Sequence, residues 1–196
     1  MSGPHKVRAM MKREVQNAQR RFRRQKQRNV LAKPGIHEMI IVLDHLKPSY
    51  NVGKIFRSAD AFGVHRVDLV GIEHFDPAPG MGGFKHVPAK FYDNFDECYQ
   101  PLAQSEYTLV ILEPEKGTSL FTTPLPRKSA FVLGHEEFGI SFDPDQYANV
   151  MRVAIPQFGK VQSLNVSIAA SIVMYEYVKQ HGSPTPPESK IQKGAV

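Results

Sequence analysis

Asn51-Val-Gly-Lys-Ile-Phe-Arg57, Gly134-His-Glu-Glu-Phe-Gly139-Ile-Ser141 and Ile155-Pro-Gln-Phe-Gly-Lys-Val-Gln-Ser163-Leu-Asn165 are the three stretches that decide the fold of this chain. The first and the third are predicted to open helices, and the second follows the apolar run 130–133, a predicted strand. Each stretch places glycine, asparagine, serine or a charged residue where backbone N–H and C=O groups are left free. Main chain and short side chains can together hold a polar ligand at such points.

Apolar runs and helical patterns alternate along the rest of the chain. Strands are predicted at 39–43, 66–70, 107–112, 130–133 and 150–154, and helices at 52–62, 95–103 and 165–180. Strands that alternate with helices indicate an α/β domain with a mostly parallel sheet flanked by helices. Asn51 would then be the N-cap of the first of these helices.

The net charge of the chain, +6, comes from its first 33 residues. They contain eleven Lys and Arg residues against Glu14 alone, so the rest of the chain is net acidic. This charge density suits binding to a polyanion. The segment 4–29 is rich in helix formers, and Met11, Val15, Ala18 and Phe22 recur at helical spacing. A basic helical extension is therefore predicted.

Three parts are expected along the chain. Residues 1–35 form the basic extension, residues 36–180 form the α/β domain, and residues 181–196 form a disordered tail because they contain three prolines and few apolar side chains. Whether the extension binds a polyanion or packs on the domain through its apolar stripe is open at this stage.

Several classes of protein are disfavoured by composition. No stretch approaches the ~18 continuous apolar residues of a membrane span, and the N-terminus lacks the apolar segment of a secretory signal. The single cysteine, Cys98, fits a reducing compartment and is expected to be a buried structural residue. His65, His74 and His86 lack the spacing of metal ligands. We expect a cytoplasmic protein without a metal site.

Taken together and in this order, the three stretches resemble the motifs of the SpoU/TrmH branch of the SPOUT RNA methyltransferases. Those motifs run roughly N-x-G-x-I-x-R-[ST]-A-x-A-F-G, then [LV]-G-x-E-x-x-G-x-S, then I-P-x-x-G-x-x-x-S-L-N-V-S. The resemblance implies a methyltransferase that uses S-adenosylmethionine and modifies a ribose 2′-hydroxyl in tRNA or rRNA. It also implies a SPOUT-type C-terminal trefoil knot and a homodimer formed through the helix 165–180. Lys54, Ser58 and Gln157 depart from the usual residues, which are Ala, Thr and Met.

The resemblance also assigns roles to residues of this chain. The catalytic residues would be Arg57, Asn51, Glu136, Ser163 and Asn165. The methyl donor would be bound by Leu133, Gly134, Ile155, Ser163 and Leu164. Beside these roles, the charge density of the extension predicts RNA binding by its cations, together with two of the first motif: Arg20, Arg21, Arg23, Arg24, Lys26, Arg28, Lys54 and Arg57. A guanidinium with a pKa above ~12 is an awkward base, so Arg57 is expected to clamp a phosphate and stabilise a developing alkoxide.

Plainer interpretations stand beside these roles. Asn51 could serve as a helix cap alone, and Glu136 could pair with Arg57 or cap a loop for structural reasons. Two other functions are a non-catalytic RNA-binding protein and a SPOUT enzyme that methylates a base. The intact set of catalytic residues argues against the first, and the Asn51/Arg57 pair argues against the second.

Two further segments leave a question open. The last helix has two apolar faces, one with Val166 and Val173 and the other with Ile168 and Tyr175. It therefore needs two partners, and the sequence does not say which face lies inside the subunit.

The stretch 71–90 is long, aromatic and partly basic, so it could contact RNA by stacking.

Overall fold

The computed structural model describes residues 4–47 and 50–183. Within them the strands are β1 Ile40–Asp44, β2 Arg66–Val70, β3 Ala89–Tyr92, β4 Thr108–Leu112, β5 Thr118–Ser119, β6 Ser129–Leu133 and β7 Val150–Ala154. The helices are α1 Pro4–Asn29, α2 Tyr50–Ala61, α3 Gly83–His86, α4 Phe95–Gln104 and α5 Val166–His181. The strands form one sheet in the order β3-β2-β1-β6-β4-β7-β5, and its strand pairings are parallel. The predicted α/β class is confirmed.

Local differences from the prediction are small but informative. The helix α2 begins at Tyr50, so Asn51 lies inside its first turn and the prediction that Asn51 is the N-cap was wrong. The sequence pattern missed β3, β5 and α3, because elements of two to four residues are too short to show a periodicity. The last helix runs to His181, and the predicted tail from residue 184 lies outside the described residues.

Helices cover both faces of the sheet, which explains why its central strands are apolar along their whole length. All residues of β1 and β6 are buried. The helices α1, α2, α3 and α5 pack on one face of the sheet, and α4 packs on the other. Cys98 of α4 is buried against Val42 and Val132, and this burial raises the pKa of its thiol. The thiol is therefore structural, as expected.

The C-terminal half of α1 packs on the domain. Phe22 is only 6% exposed, and its ring centroid lies 5.2 Å from that of Phe75 and 5.5 Å from that of Phe84. The buried Asn29 donates through Nδ2 to the carbonyl oxygens of Phe84 and Val87, at 2.5 and 2.7 Å. Phe75 and Phe84 are thus core residues, and the expectation that the stretch 71–90 stacks its aromatic rings on RNA was wrong for them.

The N-terminal half of α1 is open to solvent. Met11 and Val15 are exposed, although they belong to the same apolar stripe of α1 as the buried Phe22. At the junction of the two halves, Arg21 donates through Nε and Nη2 to both carboxylate oxygens of Asp76, at 3.1 and 2.8 Å. The helix is therefore anchored along its second half only.

The structure decides which apolar face of α5 lies inside the subunit. Val173 and Tyr177 are buried in the core, whereas Ile168 is 52% and Tyr175 is 60% exposed. The half-buried Ile172 lies between these two sets. Although the ring centroid of Tyr175 lies 6.4 Å from that of Phe62, this second face of α5 is largely exposed to solvent in the described part of the chain. No helix of that part is long and apolar enough to cross a membrane.

Candidate active site

A cavity of about 720 Å³ lies at the carboxyl edge of the parallel sheet. Its walls are the ends of β4 and β6, residues of the loop that follows β6, and the start of α5. This edge is where open α/β sheets bind their ligands, and the volume is in the range of small-molecule sites. The position and the size both favour a ligand site.

The loop that follows β6 is closed by its own backbone. His135 and Gly139 exchange two backbone hydrogen bonds, of 2.7 and 2.9 Å, and Gly139 has a φ of 74°, which glycine adopts without strain. A Cβ atom at Gly134 would lie 2.5 Å from the carbonyl oxygen of Gly139. Gly134 lines the cavity, but the packing of the loop alone already requires a glycine there.

A buried carboxylate ties the far end of this loop to the sheet. Asp44, the last residue of β1, is completely buried and accepts hydrogen bonds from N and Oγ of Ser141, at 2.5 and 2.9 Å. Nδ1 of His45 lies 2.7 Å from Oδ1 of the same carboxylate. Sequence reasoning did not select Asp44, although an aspartate that ends an otherwise apolar strand was a usable signal.

Three of the proposed catalytic residues are joined by hydrogen bonds. Asn51 donates through Nδ2 to Oε1 of Glu136 at 3.0 Å, and Nδ2 of Asn165 donates to Oδ1 of Asn51 at 3.3 Å. Asn165 is also the N-cap of α5, because its Oδ1 accepts from N and Oγ of Ser167 at 3.0 and 2.6 Å. This Asn51–Glu136–Asn165 cluster connects the starts of α2 and α5 with the loop after β6.

The cluster holds Glu136 in its ionised form at neutral pH. Burial alone would raise the pKa of Glu136, but the hydrogen bond from Asn51 and the backbone N–H groups of Glu136 and Lys47 lower the pKa below its ordinary value. A carboxylate with a lowered pKa is a weak proton acceptor. The arrangement therefore suits the orientation of the Asn51 amide better than the abstraction of a proton.

Arg57 is not part of this cluster. Arg57 and Lys54 are exposed on α2, and neither side chain forms an ion pair or a hydrogen bond with any residue that the structure describes. Six residues along a helix correspond to about 9 Å of rise and about 240° of rotation, so Asn51 and Arg57 point in different directions. The pairing of Glu136 with Arg57 that the sequence suggested is not formed within these residues.

The residues assigned to the methyl donor lie close together. Leu133, Gly134, Ser163 and Leu164 line the large cavity. Ile155 lines an adjoining recess of about 100 Å³, together with Ser163 and Leu164. Among the described residues there is no group of three or more His, Cys, Asp or Glu side chains that could hold a metal ion.

The cations assigned to RNA fall into two groups. Arg21 is bound to Asp76, and Nζ of Lys26 lies 4.1 Å from the ring centroid of Phe91, so both contribute to the docking of α1. The other cations are exposed: Arg20, Arg23, Arg24, Arg28, Lys54 and Arg57. The anchor of α1 adjoins α2, because a Cβ atom at Gly53 would lie 2.9 Å from the carbonyl oxygen of Asp76. The exposed cations of α1 and α2 therefore lie on adjoining elements.

Curated relatives share most of this chain. The chain matches the model of the SpoU rRNA Methylase family over residues 38–175. It is 32% identical over 151 residues to the 23S rRNA (guanosine-2′-O-)-methyltransferase RlmB of Xylella fastidiosa, with 74% of this chain and 60% of the relative covered. It is 30% identical over 155 residues to the uncharacterized tRNA/rRNA methyltransferase YfiF of Escherichia coli O157:H7, with 77% and 45% covered. The chain thus spans about half the length of the curated relatives it matches.

Solved structures show the same fold. A putative RNA methyltransferase of the TrmH family from Porphyromonas gingivalis superposes with a TM-score of 0.61 at 31% identity, covering 74% of this chain and 61% of that one. The TrmH/SpoU tRNA modifying enzyme of A. aeolicus gives a TM-score of 0.68 at 24% identity, covering 87% and 92%, which is evidence of fold alone. The family model spans all three motifs, the cavity edge and the Asn51–Glu136–Asn165 cluster, and so this chain belongs to the SpoU rRNA methylase family.

Proposed function

We propose that this protein transfers a methyl group from S-adenosylmethionine to a ribose 2′-hydroxyl in tRNA or rRNA. The observation that carries the proposal is the Asn51–Glu136–Asn165 cluster, two members of which line a cavity large enough for the donor. Family membership supports it, as does the relative from Xylella fastidiosa, which is named a guanosine-2′-O-methyltransferase.

The lining of the cavity fits S-adenosylmethionine. Leu112 and Leu164 offer apolar surface to an adenine, while backbone groups at Gly134 can approach a ligand. Arg152 pairs with Glu113 and Asp145 at 3.0 and 2.5 Å, and Lys116 lies 3.8 Å from Glu113. The cavity lining nevertheless has more carboxylates than these two cations: Glu113, Glu136, Asp143 and Asp145. The excess negative charge suits a ligand that carries a sulfonium and an ammonium group. When bound, S-adenosylmethionine would supply an electrophilic methyl group and leave as S-adenosylhomocysteine, and the proton of the 2′-hydroxyl would pass to solvent water.

The side chains of the site have separate roles in orienting its groups and in the chemical step. Glu136 fixes the orientation of the Asn51 amide, and Asn165 fixes the start of α5 and thereby Ser163 and Leu164 beside the donor. Arg57 acts as a clamp on the target phosphate and stabilises the developing 2′-alkoxide, because a guanidinium presents a planar fork of donors. Its exposure leaves the guanidinium accessible to RNA.

The proposal extends to the whole molecule. The exposed face of α5, with Ile168, Ile172 and Tyr175, is the surface through which two copies form a homodimer. Residues 1–35 bind RNA, and residues 36–180 are the methyltransferase domain with its trefoil knot. The cytoplasm is the compartment that contains the proposed RNA substrates.

Donor binding and product mapping test the proposal. Calorimetry should show S-adenosylmethionine binding without added metal, and mass mapping of tRNA and rRNA from a deletion strain should reveal a missing 2′-O-methyl group that the purified protein restores. A missing methyl group on a base would support the base-methylating alternative. Binding of RNA without binding of the donor at millimolar concentration would support a non-catalytic RNA-binding protein.

A further inference from the structure

The loop that follows β6 carries an aromatic ring at the wall of the cavity. Phe138 lines the cavity, and 77% of its surface is exposed. It lies two residues after Glu136, the carboxylate that orients Asn51. Phe75 and Phe84 are buried in the core, and Tyr50 and Phe158 are exposed but do not line the cavity, so among the described residues Phe138 is the aromatic one in the cavity lining.

The ring of Phe138 is held in place by His135. The two ring centroids are 4.7 Å apart, and the planes are inclined by 24°, which is a stacked arrangement. Nδ1 of His135 accepts hydrogen bonds from the backbone N–H groups of Glu137 and Phe138, at 3.1 and 3.3 Å. The backbone of His135 is in turn fixed by its hydrogen bonds with the backbone of Gly139. One side of the phenyl ring is therefore supported, and most of its surface remains open.

We propose that Phe138 is a stacking platform for a base of the RNA substrate and so positions the target nucleotide in the site. The inference rests on the proposed function. Proteins that recognise unpaired RNA bases hold them on aromatic rings, because every base has an apolar face that a ring can cover. A ring that is already immobilised loses little further conformational freedom when a base binds to it.

The adenine of the donor is the rival occupant of this ring. It is less suited, because the recess lined by Ile155 and Leu164 offers enclosing apolar surface, whereas Phe138 is largely open to solvent. The Phe138 ring also belongs to the loop that carries Glu136, a member of the Asn51–Glu136–Asn165 cluster on which the proposed function rests.

A single tryptophan at position 138 distinguishes stacking of an RNA base from stacking of the donor adenine. The chain contains no tryptophan, so Phe138→Trp introduces one reporter and preserves an aromatic ring. Its emission should remain unchanged with S-adenosylhomocysteine and should be quenched when substrate RNA is added. The matched control is Phe121→Trp, since Phe121 is 61% exposed and lies outside the cavity lining. Quenching by S-adenosylhomocysteine alone, or equal quenching of both variants by RNA, would overturn the inference.

Kinetics provide the second test. Phe138→Leu should raise KM for RNA roughly 5-fold to 100-fold, the scale of losing one stacked base, and should leave donor affinity within two-fold. Phe138→Tyr should retain the parent KM, and Phe121→Leu should behave as the parent. An unchanged KM for Phe138→Leu in an active enzyme contradicts the inference and leaves the proposed function intact. A parent protein that methylates no RNA contradicts the proposed function first, and the quenching of Phe138→Trp by RNA then decides the role of Phe138.

Discussion

Gly134, in the second sequence motif, borders the cavity and also packs against the backbone of its own loop. The loop imposes the stricter requirement for glycine, because a Cβ atom at position 134 would clash with the carbonyl group of Gly139 whether or not a ligand is present. A motif glycine therefore reports on backbone packing at least as much as on ligand contact.

We expect Gly134→Ala to destabilise the fold as well as to weaken donor binding. Overpacking of this kind costs about 1–3 kcal/mol of unfolding free energy, measurable by denaturant titration. Gly159→Ala is the matched control, because a Cβ atom there has nothing within 4 Å. Loss of donor binding with an unchanged unfolding free energy would show that the ligand, and not the loop, requires the glycine.

Arg57 is expected to act on the chemical step and not on the donor. Arg57→Ala should lower turnover at least ~100-fold, the scale of losing one electrostatic stabiliser, because the exposed guanidinium meets only the RNA. Calorimetry should show donor affinity within a few-fold of the parent. Arg57→Lys should restore little, since a point ammonium cannot replace a planar fork of donors. Full activity of the lysine variant would refute the clamp.

At the scale of elements, α1 is one helix with two environments. Its second half contributes Phe22 to the core and binds Phe84 and Val87 through Asn29. Its first half exposes Met11 and Val15 to solvent. Docking, one of the two roles that the sequence left open, therefore belongs to the second half, whose exposed arginines stay accessible to RNA. RNA binding by the first half can be tested separately.

Deletion of residues 1–17 should reduce salt-dependent RNA binding and leave the fold intact. The deletion removes Lys6, Arg8, Lys12 and Arg13. Each phosphate contact contributes about 0.7–0.9 to the slope of log affinity against log salt, so the slope should flatten by about 3. Phe22→Ala is the converse variant, which should lower the unfolding free energy by about 3–5 kcal/mol. A truncated protein with the parent slope would mean that this half does not contact RNA.

The exposed face of α5 predicts a homodimer. Light scattering of the parent protein should give about twice the 22.1 kDa of one chain. Ile168→Glu should give a folded monomer, because Ile168 is exposed within one subunit, whereas Val173→Glu should unfold the domain because Val173 is buried. A measured molar mass of a single chain would contradict the predicted homodimer.

At the scale of the whole molecule, the candidate site is an edge of the sheet to which β4, β6, the following loop and the start of α5 each contribute. These segments are distant in sequence and meet only in the folded chain. A ligand that binds them together therefore binds the native state and not the unfolded chain, which couples donor binding to global stability.

S-adenosylhomocysteine at 100 times its Kd should add about 2.7 kcal/mol to the unfolding free energy. For a chain of this size that corresponds to a rise in Tm of about 5–10 °C, measurable by calorimetry. Adenosine, which lacks the charged amino acid portion, should give a smaller rise because it brings no ammonium group to the acidic wall of the cavity. Equal shifts with both ligands would show that the acidic wall does not contribute to binding.

Sequence pattern was sufficient for the long elements and for the motifs. The apolar runs of β1 and β6 are buried on both faces of a parallel sheet, so their hydrophobicity is continuous and easy to recognise. The short elements β3, β5 and α3 escaped because periodicity needs more residues than they contain. Asp44 escaped because its partner Ser141 lies 97 positions away.

The sequence by itself determined the α/β class, the family and the set of polar residues available for chemistry, since these depend on residue type and local spacing. Only the tertiary structure decided that Asn51, Glu136 and Asn165 touch while Arg57 stands apart, that Phe75 and Phe84 are core, and which face of α5 is exposed. The physical reason is that burial and hydrogen bonding depend on which distant segments meet. The residues adjacent in sequence do not determine which distant segments come into contact.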